Sequence, residues 1–199
     1  MRNRDSNKEI KLRQTALDMI VKKGLDEFSI QKLARAAGVS PATIYIYYKD
    51  KEDLILSLYK EESQRMSEET MKNFDPAMPF SEGLRIQWMN RSRYIMEHKD
   101  KAIFIEQIRH SSLHEKVIGM VNETFKDKMD RFVHHAIERK ELVKVPVEVY
   151  WSVAFAPLYS LVQFHQLGVN MAGNKFTLSE DIMNQTLEIV LKGLKPDES

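Results

Sequence analysis

Apolar residues in this chain recur three and four positions apart over long stretches. The stretches are interrupted chiefly at Gly24, Gly38, Pro41, Pro76, Pro79, Pro146, Gly168, Gly173 and Pro196. That spacing places apolar side chains on one side of an α-helix, because 3.6 residues complete a turn. The competing signals are missing, since no Asn-Gly or Asp-Gly hairpin turn and no long apolar–polar alternation occurs. The pattern predicts helices over residues 7–23, 30–37, 42–48, 51–73, 81–98, 101–111, 113–140, 147–167 and 179–194. The fold class is therefore all-α, with about nine helices. Pro76 and Pro79 mark a linker, and Pro157 falls inside the pattern of 147–167, where a missing hydrogen bond predicts a kink.

The 199 residues suffice to bury roughly 70% of the unfolded surface in a core. Cysteine is absent, which excludes disulfides, thiolate zinc sites and a catalytic thiol and suits a reducing cytoplasm. No apolar run approaches the ~20 residues of a membrane span. The basic opening stretch has no apolar segment behind it, unlike a secretory signal. The net charge of +1 hides an imbalance. Residues 1–51 carry eleven basic and six acidic side chains, +5, which leaves −4 for the remainder. A basic head on a mildly acidic body suits a module that binds a polyanion, joined to something else.

Two short helices joined through Gly38-Val39-Ser40 have the spacing of a helix-turn-helix. Gly38 permits the left-handed turn between them. Ser29 is the expected N-cap of the first, Ser40 that of the second, and Pro41 takes the first helical position. Ala34 allows close approach of the two helices, with Leu33, Val39 and Ile44 filling the space between. The second helix then exposes Ala42, Thr43, Tyr45, Ile46 and Tyr47, short-chained at its start and so able to lie deep in a major groove. Hydroxyls together with Lys49 or Lys51 suit phosphates at the rim. Tyr48 is assigned to the core. Arg2 and Arg4 fit either a minor-groove arm or a solvated terminus.

The order of these residues carries a resemblance. Leu12, Ala16-Leu17, Met19-Ile20 and Gly24 are followed by the run from Phe28 through Gly38, Thr43-Ile44-Tyr45-Ile46-Tyr47-Tyr48 and Lys51-Glu52-Asp53-Leu54. This quarter of the chain resembles the DNA-binding head of the tetracycline-repressor (TetR) family, and the helix after Pro146 resembles that family's dimerisation helix. The resemblance implies a ligand-responsive homodimer, joined through the last two helices. Its heads would read half-sites of a pseudo-palindromic operator about one turn apart, ~34–36 Å. By matching positions, Ser29, Thr43, Tyr47 and Lys51 become phosphate contacts, and Gln31, Ala42, Tyr45 and Ile46 base-edge contacts. Ile46 stands where many members carry a polar or basic residue, which favours thymine methyls and DNA shape over bidentate hydrogen bonds. Phe28 replaces a commonly small residue and is expected to pack.

The resemblance also implies an effector cavity in residues 52–199, against a DNA-binding domain of 1–51. Met66, Trp88, Met89, Ile95, Phe104, Ile108, Phe125, Met129, Phe155 and Tyr159 are its candidate lining, suited to a largely apolar ligand, although the same residues suit an ordinary core. Arg85, Arg91, Arg93 and Arg109 are read as solvated, with anion pairing as the alternative. His110 with His114, and His134 with His135, lack the geometry of a metal site, and no metal or other cofactor is expected. No phosphate loop, metalloprotease helix or Gly-x-Ser-x-Gly elbow occurs, so no catalytic residues are assigned. A helical protein–protein adaptor remains the main alternative, ahead of an enzyme. The spacing leaves open whether the regulator represses or activates.

Overall fold

The computed structural model describes residues 2–120 and 122–196, with side chains from Asn7 onward; Arg2 and Arg4, as a minor-groove arm, thus lie outside the described side chains. Ten helices account for the described chain: α1 (Arg2–Lys23), α2 (Ile30–Ala37), α3 (Pro41–Tyr45), α4 (Lys51–Thr70), α5 (Phe80–Glu97), α6 (Lys99–Arg109), α7 (His114–Ile118), α8 (Glu123–Glu138), α9 (Val147–Leu167) and α10 (Glu180–Leu194). No strand occurs among the described residues, only an isolated bridge between Val169 and Lys175.

The expected helix 113–140 is two helices. Met120 N–H bonds the Val117 carbonyl three residues back, at 2.9 Å, so α7 tightens instead of continuing. Gly119 ends it, and Ile118 beside it is exposed, so no apolar face holds the segment to a helical path. The helix expected to reach residue 73 stops at Thr70, and Asn73 adopts a left-handed φ of 57°, which asparagine tolerates better than most residues. α9 runs through Pro157 without ending.

The chain forms two compact units. The first comprises Met1–Met66 and His98–Asn122; the second comprises Ser67–Glu97 and Glu123–Ser199. The chain crosses between them inside α4, after α5 and before α8. In the first unit, α1 packs against α2 and α6, and α2 against α3. Leu12, Ala16 and Ile20 of α1 meet Leu33, Ile44, Leu54, Leu58, Phe104 and Ile108 in one core. Leu33, Ile44 and Leu54 are fully buried, and each such burial contributes roughly 1.5–3 kcal/mol.

In the second unit, α5 packs on α8 and α9, and α9 on α10. Trp88, Phe132, Phe155 and Leu158 are fully buried there. The Trp88 indole N–H donates to the Ala154 carbonyl at 2.7 Å, which fixes α5 against α9. Gly83 lets α5 approach α8, and Phe132 stacks on Phe80 with centroids 5.6 Å apart and meets Phe74 edge-on at 5.0 Å. The start of α5 is held by Glu141, whose carboxylate accepts the Phe80 N–H at 2.7 Å, as suits the positive end of a helix. Arg139 in turn holds Glu141 and donates to the carbonyls of Ala77 and Met78.

Candidate functional site

The turn between α2 and α3 follows from three residues. Gly38 adopts φ 71°, ψ 37°, and its N–H reaches back to the carbonyls of Ala34 and Arg35. The Val39 N–H bonds the Ala34 carbonyl at 3.0 Å, closing the end of α2. Ser40 Oγ then accepts the Thr43 N–H at 3.3 Å and Pro41 opens α3. At the other end of α2, Ser29 Oγ accepts the Lys32 N–H at 3.2 Å. Both hydroxyls therefore work as helix caps. Bonding continues past α3, with Tyr47 and Tyr48 N–H both donating to the Ile44 carbonyl.

Helical spacing sorts the side chains of α3. Ile44 and Tyr48, four apart, are buried, which turns Ala42, Tyr45 and Ile46 outward. Tyr45 is 50% exposed and Ile46 77%, large apolar surfaces that a water-facing helix would not gain by presenting. Gln31 and Lys49 are exposed as well. Thr43 is half-buried, with Oγ1 3.0 Å from Ser40 Oγ. Tyr47 is half-buried and packs on the core of the first unit. Lys51 is half-buried; its amine donates to the Leu25 carbonyl at 3.1 Å and lies over the Phe28 ring. Phe28 is buried, as a packing residue is. Lys49 is thus the exposed amine at this corner. The arrangement offers a small-residue helix start, two bulky outward side chains and flanking polar groups.

The residues suggested for an effector cavity fall into different units. Met66, Phe104 and Ile108 join the core of the first unit. Trp88, Ile95, Phe125, Met129, Phe155 and Tyr159 pack together in the second. Met89 is exposed, and lines an open pocket of about 240 Å³ with Ser92, Arg93, Met96, Glu97 and Met183.

Arg91 departs from the solvated reading. It is 3% exposed and sits among aromatic rings of the second unit. Its guanidinium carbon lies 4.5 Å from the Phe155 centroid, 5.3 Å from that of Trp151 and 5.6 Å from that of Phe125. Nη1 donates to the Tyr159 hydroxyl and Nη2 to Gln87 Oε1, both at 3.1 Å. Gln87 is itself held by donating to the Thr70 carbonyl at 2.8 Å. The signal was present in the sequence, because Leu84, Trp88, Arg91 and Ile95 follow one another at steps of four, three and four on the buried stripe of α5. Arg85 instead bonds Asn184 and Glu188, and Arg109 bonds Glu106 and Tyr59. His110 and His114 direct Nδ1 at the carbonyls of Glu106 and Arg109, each a local cap contact.

Comparison with known proteins bears on the head first. Residues 12–58 match the model of the bacterial regulatory proteins of the tetR family. An uncharacterized HTH-type transcriptional regulator of Haemophilus influenzae is 23% identical over 174 residues, covering 87% of this chain and 86% of that protein. The fatty acid metabolism regulator protein of Bacillus subtilis is 36% identical over 66 residues, 31% of this chain and 34% of that protein. Among solved structures, a TetR family transcription regulator from Marinobacter aquaeolei superimposes with a TM-score of 0.73 at 25% identity, covering 99% of this chain and all of the other. Among the described residues no helix is long and apolar enough to cross a membrane.

Proposed function

This chain belongs to the TetR family of DNA-binding transcriptional regulators, and on that premise we propose that it acts in the cytoplasm as a homodimeric repressor whose operator affinity is set by a small, largely apolar effector. DNA is read by residues 1–51. Effector binding and dimerisation belong to residues 52–199, of which 52–66 and 98–122 pack with the head. The observation that carries this reading is the capped α3, which with its C-terminal cap turns Ala42, Tyr45 and Ile46 outward. Its small start admits the helix to a major groove, where Tyr45 and Ile46 meet base edges and thymine methyls. Gln31 adds a polar base-edge contact, and Thr43, Tyr47 and Lys49 serve phosphates. Ser29, Ser40 and Lys51 act chiefly by holding the helices in place.

The homodimer reading is supported by α9 and α10. Val147, Val149, Trp151, Val153, Leu167 and Ile189 are exposed, an apolar surface that a second copy of the same helices would cover. The core around Trp88, Phe155 and Tyr159 is the proposed effector region. That one relative is named a regulator of fatty acid metabolism favours an apolar ligand. An effector shifts the regulator only through unequal affinity for its DNA-bound and free states, and we assign the higher affinity to the free state. No turnover of the effector is proposed.

The test is selection of bound duplexes from a random pool at fixed salt, with wild type beside a Tyr45→Ala, Ile46→Ala variant. A palindrome enriched by wild type and lost by the variant is the expected result. Equal enrichment by both would refute the assignment of α3 as the reading helix.

A further inference from the structure

Arg91 is a permanent cation buried in the core of the second unit. Among the described residues its guanidinium makes no ion pair; its two acceptors, Tyr159 Oη and Gln87 Oε1, are neutral. Phe125, Trp151 and Phe155 surround it, and their ring faces stabilise a cation without neutralising it. Its Nε–H is buried and has no partner. The Tyr150 hydroxyl is buried and unpartnered as well, 4% of that residue being exposed. The two donors belong to one neighbourhood. Tyr150 packs edge-on against Phe155 at 6.1 Å, the ring on which Arg91 lies, and the Arg91 charge acts on the Tyr150 hydroxyl.

A buried charge whose partner is absent is costly, and a core arginine normally brings its carboxylate with it. Here the cation, an unused guanidinium N–H and an unused hydroxyl point to an acceptor with one negative charge and several lone pairs. A carboxylate fits, since it accepts bidentate bonds from a guanidinium and has room for a third donor. The walls formed by Phe125, Trp151 and Phe155 are aromatic, which disfavours a phosphate dianion. We propose that Arg91, with Tyr150, is the anchor for the carboxylate of an effector whose remaining body is apolar. The body lies along Phe125, Trp151 and Phe155, with the half-buried Phe125 at the side from which it enters. This deepens the effector-responsive reading above and rests on it.

The test uses the full chain and titration calorimetry with octanoate, dodecanoate and phenylacetate, each beside its methyl ester. At least one acid is expected to bind one per chain, with its ester about tenfold weaker or more, the scale of charge-assisted hydrogen bonds. Arg91→Met, which keeps the volume and removes the charge, is expected to lose that preference. Tyr150→Phe, nearly isosteric, is expected to weaken the acid and leave the ester unchanged, and it carries the test if Arg91→Met does not fold. Equal binding of acid and ester, unchanged acid binding in the folded variants, or no binding by any of the three acids would each overturn the proposal. Binding of the selected duplex by the same preparations separates the two readings. If the duplex binds and the acids do not, only the carboxylate anchor falls; if neither binds, the regulatory reading falls with it.

Discussion

Arg13 Nη1 donates to the Tyr48 hydroxyl at 3.0 Å, tying α1 to the turn that follows the reading helix. The same guanidinium donates to Ser57 Oγ and to the Ser57 carbonyl, and pairs with Glu61, so α4 is held by the same side chain. Tyr48→Phe keeps the buried ring and removes the hydroxyl that accepts from Arg13 and donates to Glu9, which is expected to cost about 1 kcal/mol of stability. Arg13→Met removes every arm of the junction and is expected to cost more, with a larger loss of operator affinity than of stability because the orientation of α3 loosens. Urea unfolding alongside duplex binding checks both. An Arg13→Met protein with wild-type operator affinity would show that this junction does not position the helix.

Gly83 stands where α5 meets α8. A Cβ added there would lie 2.3 Å from Phe132 Cε2 and 2.5 Å from Cζ, both parts of a rigid, buried ring. Alanine is the better helix former by about 1 kcal/mol, yet overpacking of this kind typically costs 1–3 kcal/mol, so Gly83→Ala is expected to destabilise. Adding Phe132→Leu to Gly83→Ala makes room and is expected to recover part of the loss. A Gly83→Ala protein that melts above wild type would mean that the ring moves aside at little cost.

The head was legible because its determinants are local. Ser29 and Ser40 cap, Pro41 opens a helix and Gly38 takes a left-handed turn for reasons contained within a few residues. The exposed face of α3 followed from the same logic, since burying Ile44 and Tyr48 forces Ala42, Tyr45 and Ile46 outward. Lys51 was less legible. Its bond to Leu25 depends on where the turn after α1 lies, 26 residues away in sequence. Arg91 was hidden for a related reason, because its burial depends on Phe125, Trp151 and Phe155, which arrive from α8 and α9. The division of 113–140 turned on Gly119, a single weak helix former that apolar spacing alone does not register. Likewise, Met66, Phe104 and Ile108 share the composition of the second core but belong to the first, which long-range packing decides.

Stability should fall in alkaline solution. Burial raises the Tyr150 hydroxyl well above its ordinary value of 10.0, with Arg91 pulling partly against it. Tyr48 is also raised, by burial first, with Arg13 opposing and Glu9 assisting. The folded state therefore keeps protons that the unfolded chain releases once pH passes about 10, and the unfolded state gains with each further step. The contribution is fully present below pH 10 and is lost as pH rises toward the folded values. Urea unfolding at pH 8, 10 and 11 is expected to show this decline, shallower in Tyr150→Phe. A pH-independent midpoint across that range would contradict the burial of both hydroxyls.

Ile46 makes a prediction about DNA rather than protein. Just past the end of α3, it is 77% exposed against 50% for Tyr45, and its side chain has no hydrogen-bonding group. In the major groove its natural partner is the C5-methyl group of thymine. Replacing thymine by uracil within the half-site removes that methyl and leaves every hydrogen-bonding edge intact. Wild type is expected to bind a uracil duplex more weakly at one position per half-site, whereas Ile46→Ala is expected to bind thymine and uracil duplexes alike. Because the methyl contact carries no charge, the salt dependence of binding should be the same for both proteins and both duplexes, unlike the effect of Lys49→Ala, which removes a cation and flattens the slope. Fluorescence anisotropy at several salt concentrations measures all of these. A uracil penalty that persists undiminished in Ile46→Ala would assign the methyl contact to another residue of the reading face, with Tyr45 the next to test.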